Sequence, residues 1–169
     1  ITREVEARQL REDVDRIMRH DLRAIERAIG PRTAMVALDI PCNPTGGTNP
    51  RRELVRFLNR LPPRVLFVLD QAYYEYAAHE ADYPDGLELR RRFPNMVVLR
   101  TFSKAHGLPG LRVGYGLARP EIVRDLDRVR PPFNVNRMAQ VAAMAALEDK
   151  KHVARSVRTN RRGMAQMRK

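Results

Sequence analysis

Residues 33–47 read TAMVALDIPCNPTGG, and this stretch decides the fold. Thr33 to Ile40 is mostly apolar with no helical period, the pattern of a buried strand. It stops at Pro41-Cys42-Asn43-Pro44-Thr45-Gly46-Gly47, a loop dense in turn residues. The same unit returns further along the chain. Val65 to Leu69 is an apolar run closing on Asp70, and Met96 to Arg100 is another, followed by a loop centred on Lys104. Arg112 to Leu117 reads as a fourth strand.

Helical patterns lie between and around these runs. Asp21 is placed to cap a helix carrying Leu22, Ile25 and Ile29 on one face, which Gly30-Pro31 ends. Asn49 and Pro50 open a second, with Leu54, Phe57 and Leu58 inward, and Pro62-Pro63 breaks it. A short helix is expected over Gly86 to Arg92 and an amphipathic one over Pro120 to Arg130, stopped by Pro131-Pro132. From Asn136 onward the chain reads as helical, broken near Asp149. Residues 1–18 form a weak amphipathic pattern at best. Strands alternating with helices predict an α/β layer with a mostly parallel sheet and flanking helices.

The 169 residues suffice for one compact domain, and 43% hydrophobic content excludes a disordered chain. No apolar run approaches a membrane span and no signal peptide is visible, so no membrane partner is expected. The single Cys42 cannot form an internal disulfide, which points to a reducing cytoplasm. A net charge of +12 invites a nucleic-acid reading, but the arginines are spread over nearly every expected helix, not gathered into a stripe with aromatics. No nucleic-acid partner is expected. Neither Ile1 nor the basic run ending in Lys169 looks like a natural terminus, so the chain is expected to be part of a longer one.

Ligands of open α/β sheets bind beyond the carboxyl ends of the strands. Asn43 follows the first apolar run, Asp70 closes the second, and Thr101, Ser103 and Lys104 follow the third. Three chain-distant loops are thereby expected to meet on one sheet edge. Lys104 stands out further, because the other lysines are confined to positions 150, 151 and 169.

The ordered set NPTG (43–46), DQAY (70–73), TFSK (101–104) and Arg112 resembles the fold-type-I aminotransferases. Within them, RTFSKAHGLPGLRVGYG (100–116) and RPPFNVN (130–136) are similar to segments of the histidinol-phosphate aminotransferases. The resemblance runs from about His20 to Met167. It implies that residues 20–169 are a partial large domain binding pyridoxal 5'-phosphate, with the start of a connection to a C-terminal small domain. Residues 1–19 are then a poorly matched helical segment.

The resemblance also implies roles. Lys104 would carry the cofactor covalently and then move a proton at the substrate's alpha carbon. For either task its amine must first lose its own proton. Asp70 would keep the cofactor's ring nitrogen protonated, so that the ring can draw electrons. Tyr73 and Asn43 would hydrogen-bond the phenolic oxygen, and Ala72 would lie against one ring face. Arg112, Thr101 and Ser103 would hold the phosphate, the arginine as a planar fork of donors.

The implied reaction is transamination between histidinol phosphate and 2-oxoglutarate, a step of histidine biosynthesis, in a homodimer. The partners are a small amino donor and a 2-oxo acid. Aromatic aminotransferases and threonine-phosphate decarboxylases share parts of these patterns, and a cofactor-binding transcription regulator is an alternative of another class. His20, His79, His106 and His152 show no metal-ligand spacing, and Cys42 reads as a packing residue. Gly107, Gly110, Gly114 and Gly116 fit tight packing around the lysine loop better than a dinucleotide fingerprint.

Overall fold

A computed structural model describes residues 9–10 and 13–167. The sequence expectation for residues 1–8 and 11–12 lies outside the described residues, whereas residues 13–17 are helical. In chain order, helix α1 (Leu22–Ala28) leads into strand β1 (Met35–Asp39), helix α2 (Arg51–Arg60) and strand β2 (Leu66–Asp70). The short helix α3 (Tyr74–Ala77) and α4 (Gly86–Arg92) precede strand β3 (Met96–Thr101). A 3-10 turn over Pro109–Leu111 then leads to strand β4 (Gly114–Leu117). Helices α5 (Pro120–Val129), α6 (Arg137–Glu148) and α7 (Lys150–Met167) complete the chain. Among the described residues no helix is long and apolar enough to cross a membrane.

The sheet order is β1-β2-β3-β4. The first three strands are parallel, with Asp39 beside Asp70 and Asp70 beside Leu99. β4 returns antiparallel, with Thr101 opposite Gly114. The parallel pairs need crossovers, and the intervening helices supply them. The ends of β1, β2 and β3 therefore lie side by side, which is what positions the loops of interest.

Leu54, Phe57 and Leu58 share one face of α2 and are buried in the main core with Ile40, Phe67, Leu69, Met96 and Val98. The Phe57 and Phe67 rings meet edge-on at 6.0 Å. Burial alternates along β2, where Phe67 and Leu69 are buried while Leu66, Val68 and Asp70 are only half-buried. β1 is less enclosed than its composition suggested, since Met35 is 57% exposed and only Leu38 of the strand is buried. The reason is position: β1 is an edge strand. A second cluster joins Phe102 and Val113 to Ala139 and Ala143 of α6, tying the loop after β3 to that helix.

The helix starts mostly follow local rules. Asp21 accepts from Ala24 N, Asp85 from Leu87 N and Asn136 from Ala139 N. Asn49 does not cap α2. It is buried and its side chain donates to His20 O at 2.9 Å, bracing the entry of α1. Pro50 takes the cap position instead, with no side-chain bond.

Candidate active site

The ends of β2 and β3 and the start of β4 enclose a cleft of about 580 Å³ lined by Asp70, Ala72, Thr101, Ser103, Lys104 and Arg112. Period-two alternation explains its floor. Leu99 and Thr101 project to one side of β3, and their β4 partners on that side are Gly116 and Gly114. Neither partner has a side chain to fill the space above the sheet. A Cβ on Gly114 would sit 2.7 Å from Arg100 O, so the close approach of β4 to β3 requires glycine there.

Asp70 Oδ1 accepts from Ala72 N at 2.9 Å, turning the chain sharply after β2, while Oδ2 has no hydrogen-bond partner among the described residues. Thr101 Oγ1 accepts from Ser103 N at 3.1 Å, an analogous turn that brings Lys104 back over the sheet end. Lys104 is exposed, with Nζ 5.0 Å from the centre of the Tyr73 ring. Gly107 N closes the loop on Lys104 O at 3.0 Å. Arg112 does not open a strand as its sequence context suggested. It follows the 3-10 turn with φ +50, two residues before β4, and its Nη1 donates to Pro109 O at 2.7 Å.

Asn43 lies apart from this cleft. Its backbone N donates to Asp39 Oδ2 at 2.7 Å and its side chain is exposed. Asp39 also faces the His20 ring, 3.0 Å from Oδ1. Burial pushes the Asp39 carboxyl up, but the Asn43 and Asp39 N–H groups and the His20 ring outweigh it and hold it below its ordinary range. This hydrogen-bonded corner fixes the base of the 41–47 loop.

Beneath the cleft lies a polar network that sequence reading missed. Gln71 is fully buried, its amide donating to Tyr83 OH and Pro84 O, each at 2.8 Å. Its Oε1 accepts from Gly86 N and from Arg100 Nη2, each at 3.1 Å. Arg100 is 6% exposed and stacks 3.3 Å from the centre of the Tyr74 ring. Burial pushes the Tyr83 hydroxyl up, so it stays a donor, here to Ile40 O at 2.8 Å. Because Gln71 and Arg100 each adjoin a cleft residue, the network locks the strand ends in place. The available signal was a lone arginine inside the apolar run MVVLRT.

Gly107 carries the tightest constraint of the lysine loop. Its φ is +74, and a Cβ there would lie 3.2 Å from His152 Nε2 of α7. Gly107→Ala is expected to destabilise the fold by ~1 kcal/mol or more, since an L side chain is strained at that φ. Urea denaturation measures this, and an unchanged midpoint would contradict it.

The cleft thus gathers an amine, a carboxylate with a free oxygen, two hydroxyls and a guanidinium. That donor set fits the expected cofactor: a flat aldehyde for the amine, a ring nitrogen for the carboxylate and a phosphate for the remaining donors.

A family model described as aminotransferase class I and II matches residues 3–169. The chain is 54% identical over 149 residues to a histidinol-phosphate aminotransferase of Moorella thermoacetica, covering 88% of this chain and 38% of the relative. It is 50% identical over 148 residues to histidinol-phosphate aminotransferase 1 of Nitrosococcus oceani, covering 88% of this chain and 40% of that relative. The chain therefore spans about two fifths of the length of the curated relatives it matches. A crystal structure of histidinol-phosphate aminotransferase from Sinorhizobium meliloti in complex with pyridoxal-5'-phosphate superposes with a TM-score of 0.75 at 38% identity. That match covers 83% of this chain and 38% of the other.

Proposed function

Because this chain belongs to the aminotransferase class I and II family, we propose that it is the cofactor-binding part of a histidinol-phosphate aminotransferase. The whole enzyme would pass the amino group of histidinol phosphate to 2-oxoglutarate, giving imidazole acetol phosphate and glutamate, with pyridoxal 5'-phosphate as cofactor. The observation that carries the substrate is identity of 50% and 54% to relatives of that name over 88% of the chain. Residues 20–169 are proposed as part of the large domain, leading toward a small domain. The enzyme is proposed to be a cytoplasmic homodimer, with an amino donor and a 2-oxo acid as its small-molecule partners.

The bound cofactor supplies an electron-withdrawing ring that weakens the alpha C–H bond of an attached amino acid. The chain's own groups do the rest. Asp70 Oδ2 holds a proton on the ring nitrogen and so keeps the ring positively charged. Thr101, Ser103 and Arg112 bind the phosphate, Arg112 through the donors not engaged with Pro109 O. Ala72 leaves one ring face uncrowded. Tyr73 and Asn43, which the resemblance assigns to the phenolic oxygen, are not among the residues lining the cleft and would have to reach it from the adjacent loops. Lys104 would hold the cofactor, and its amine would carry a proton away from the substrate's alpha carbon.

Direct competition on the full-length enzyme tests the substrate. Histidinol phosphate is expected to show a higher kcat/KM than phenylalanine or tyrosine. The reverse order would remove the substrate assignment and leave the aminotransferase assignment standing.

A further inference from the structure

His20, Asp39 and Cys42 come from three places in the chain: the residue before the α1 cap, the last residue of β1 and the loop beyond it. Their spacing conceals any relation, since His20 lies 19 residues before Asp39. The fold brings them together. An imidazole nitrogen, a carboxylate oxygen and the thiol sulfur lie within 4.8 Å of one another, on residues that are all half-buried. Among the described residues no other three histidine, cysteine or carboxylate groups meet in this way.

The three groups are also held in place from outside the cluster. Asp39 Oδ2 accepts from Asn43 N at 2.7 Å, which orients the carboxylate and turns Oδ1 toward the ring of His20, 3.0 Å away. An outer hydrogen bond of this kind is what metal-binding carboxylates ordinarily have. His20 is fixed through its carbonyl, which accepts from the side chain of fully buried Asn49 at 2.9 Å. Cys42 sits in a closed turn, its carbonyl accepting from Gly46 N at 2.7 Å and its N donating to Gly47 O at 2.9 Å. Ligand atoms around a tetrahedral ion stand about 3.5 Å apart. Rotation of the half-buried Cys42 side chain supplies the shift of about 1 Å that this requires.

We propose that His20, Asp39 and Cys42 form a binding site for a divalent cation of borderline softness, zinc being the representative ion, with a fourth position open to water. The ligand types make the choice. Thiolate and imidazole favour zinc-like ions, whereas magnesium and calcium take shells of oxygen. On binding, the thiol proton leaves to solvent and the imidazole coordinates as a neutral ring with its proton on the other nitrogen. The Asp39 carboxylate and the Cys42 thiolate then balance the charge of the ion. A bound ion joins the entry of α1, the end of β1 and the 41–47 loop. None of its ligands lines the cleft at Lys104, so the site stands independently of the function proposed for that cleft.

The test reads Cys42 directly, by iodoacetamide labelling and peptide mass spectrometry of the chelator-treated full-length enzyme. This singles out the Cys42 thiol whatever other cysteines the longer chain carries. Zinc chloride is the probe and magnesium chloride the comparison. Zinc at about ten times its dissociation constant is expected to slow Cys42 labelling about tenfold, and magnesium to leave it unchanged. In His20→Gln, which keeps an amide donor for Asp39 but is a poor zinc ligand, half-protection should need at least about tenfold more zinc. Asp39→Asn, which keeps an oxygen for Asn43 N, should behave likewise. Should neither variant fold, zinc-edge X-ray absorption compares the unaltered enzyme with Cys42→Ser, and a sulfur neighbour of the ion should disappear. No protection by zinc, equal protection by magnesium, half-protection unmoved in both variants, or an unchanged absorption spectrum in Cys42→Ser would each overturn the site.

Discussion

Lys104→Ala in the full-length enzyme is expected to lower transamination by at least about 1000-fold, which corresponds to ~4 kcal/mol of transition-state stabilisation. The fold should survive. Lys104 is exposed, and its close aromatic neighbour is the Tyr73 ring at 5.0 Å, a contact worth only ~0.5 kcal/mol at such a site. Thermal melting should therefore stay near that of the parent while turnover vanishes. In the unaltered holoenzyme, borohydride reduction followed by peptide mapping should fix the cofactor to Lys104. Label on Lys150 or Lys151 would defeat the assignment.

The second large effect is expected at Asp70. Asn in its place still presents an oxygen to Ala72 N, so the turn after β2 keeps its 2.9 Å hydrogen bond. What disappears is the negative charge that would hold a proton on the ring nitrogen. Turnover of Asp70→Asn is expected to fall about 100-fold, or ~3 kcal/mol, with little change in melting temperature. Near-normal kcat would remove Asp70 from the proposed role, because the substitution keeps the turn but replaces the charged acceptor oxygen with a neutral NH2 donor.

Much of this arrangement was legible in the sequence. Apolar runs ending in DIP, LDQ and LRT announce strands whose last residues face one edge, and the strand, helix and turn boundaries of the structure lie close to those positions. Local signals failed where tertiary contacts override them. Asn49 has the composition of a helix cap, but the His20 carbonyl 2.9 Å away claims its amide, and no local pattern shows a partner 29 residues distant. Arg112 looked like the first residue of a strand because Val113 follows it. The preceding Pro109–Leu111 turn instead forces Arg112 into a left-handed conformation. The run-together of Leu99, Arg100 and Thr101 also hid a division of labour. Alternation sends Thr101 and Leu99 to the cleft side and Arg100 to the buried network with Gln71. Composition alone gives no reason to expect a buried arginine there. That Asn43 and Tyr73 fall outside the lining of the cleft formed by the remaining candidates was equally invisible; for Asn43 it depends on how the 41–47 loop is tied to Asp39.

The strand order β1-β2-β3-β4 is also the order of the chain. Among the described strands, β2, β3 and β4 each pair with the strand made immediately before them. Pairing between strands adjacent in the chain keeps the loop that each must close as short as a parallel crossover allows. β1 and β2 are made before Lys104, so the lysine loop adds to a sheet edge whose strands precede it in the chain. Nascent chains arrested beyond β4 should already protect the β1–β3 amides from hydrogen exchange. The order of assembly at the site is thus written into the direction of synthesis.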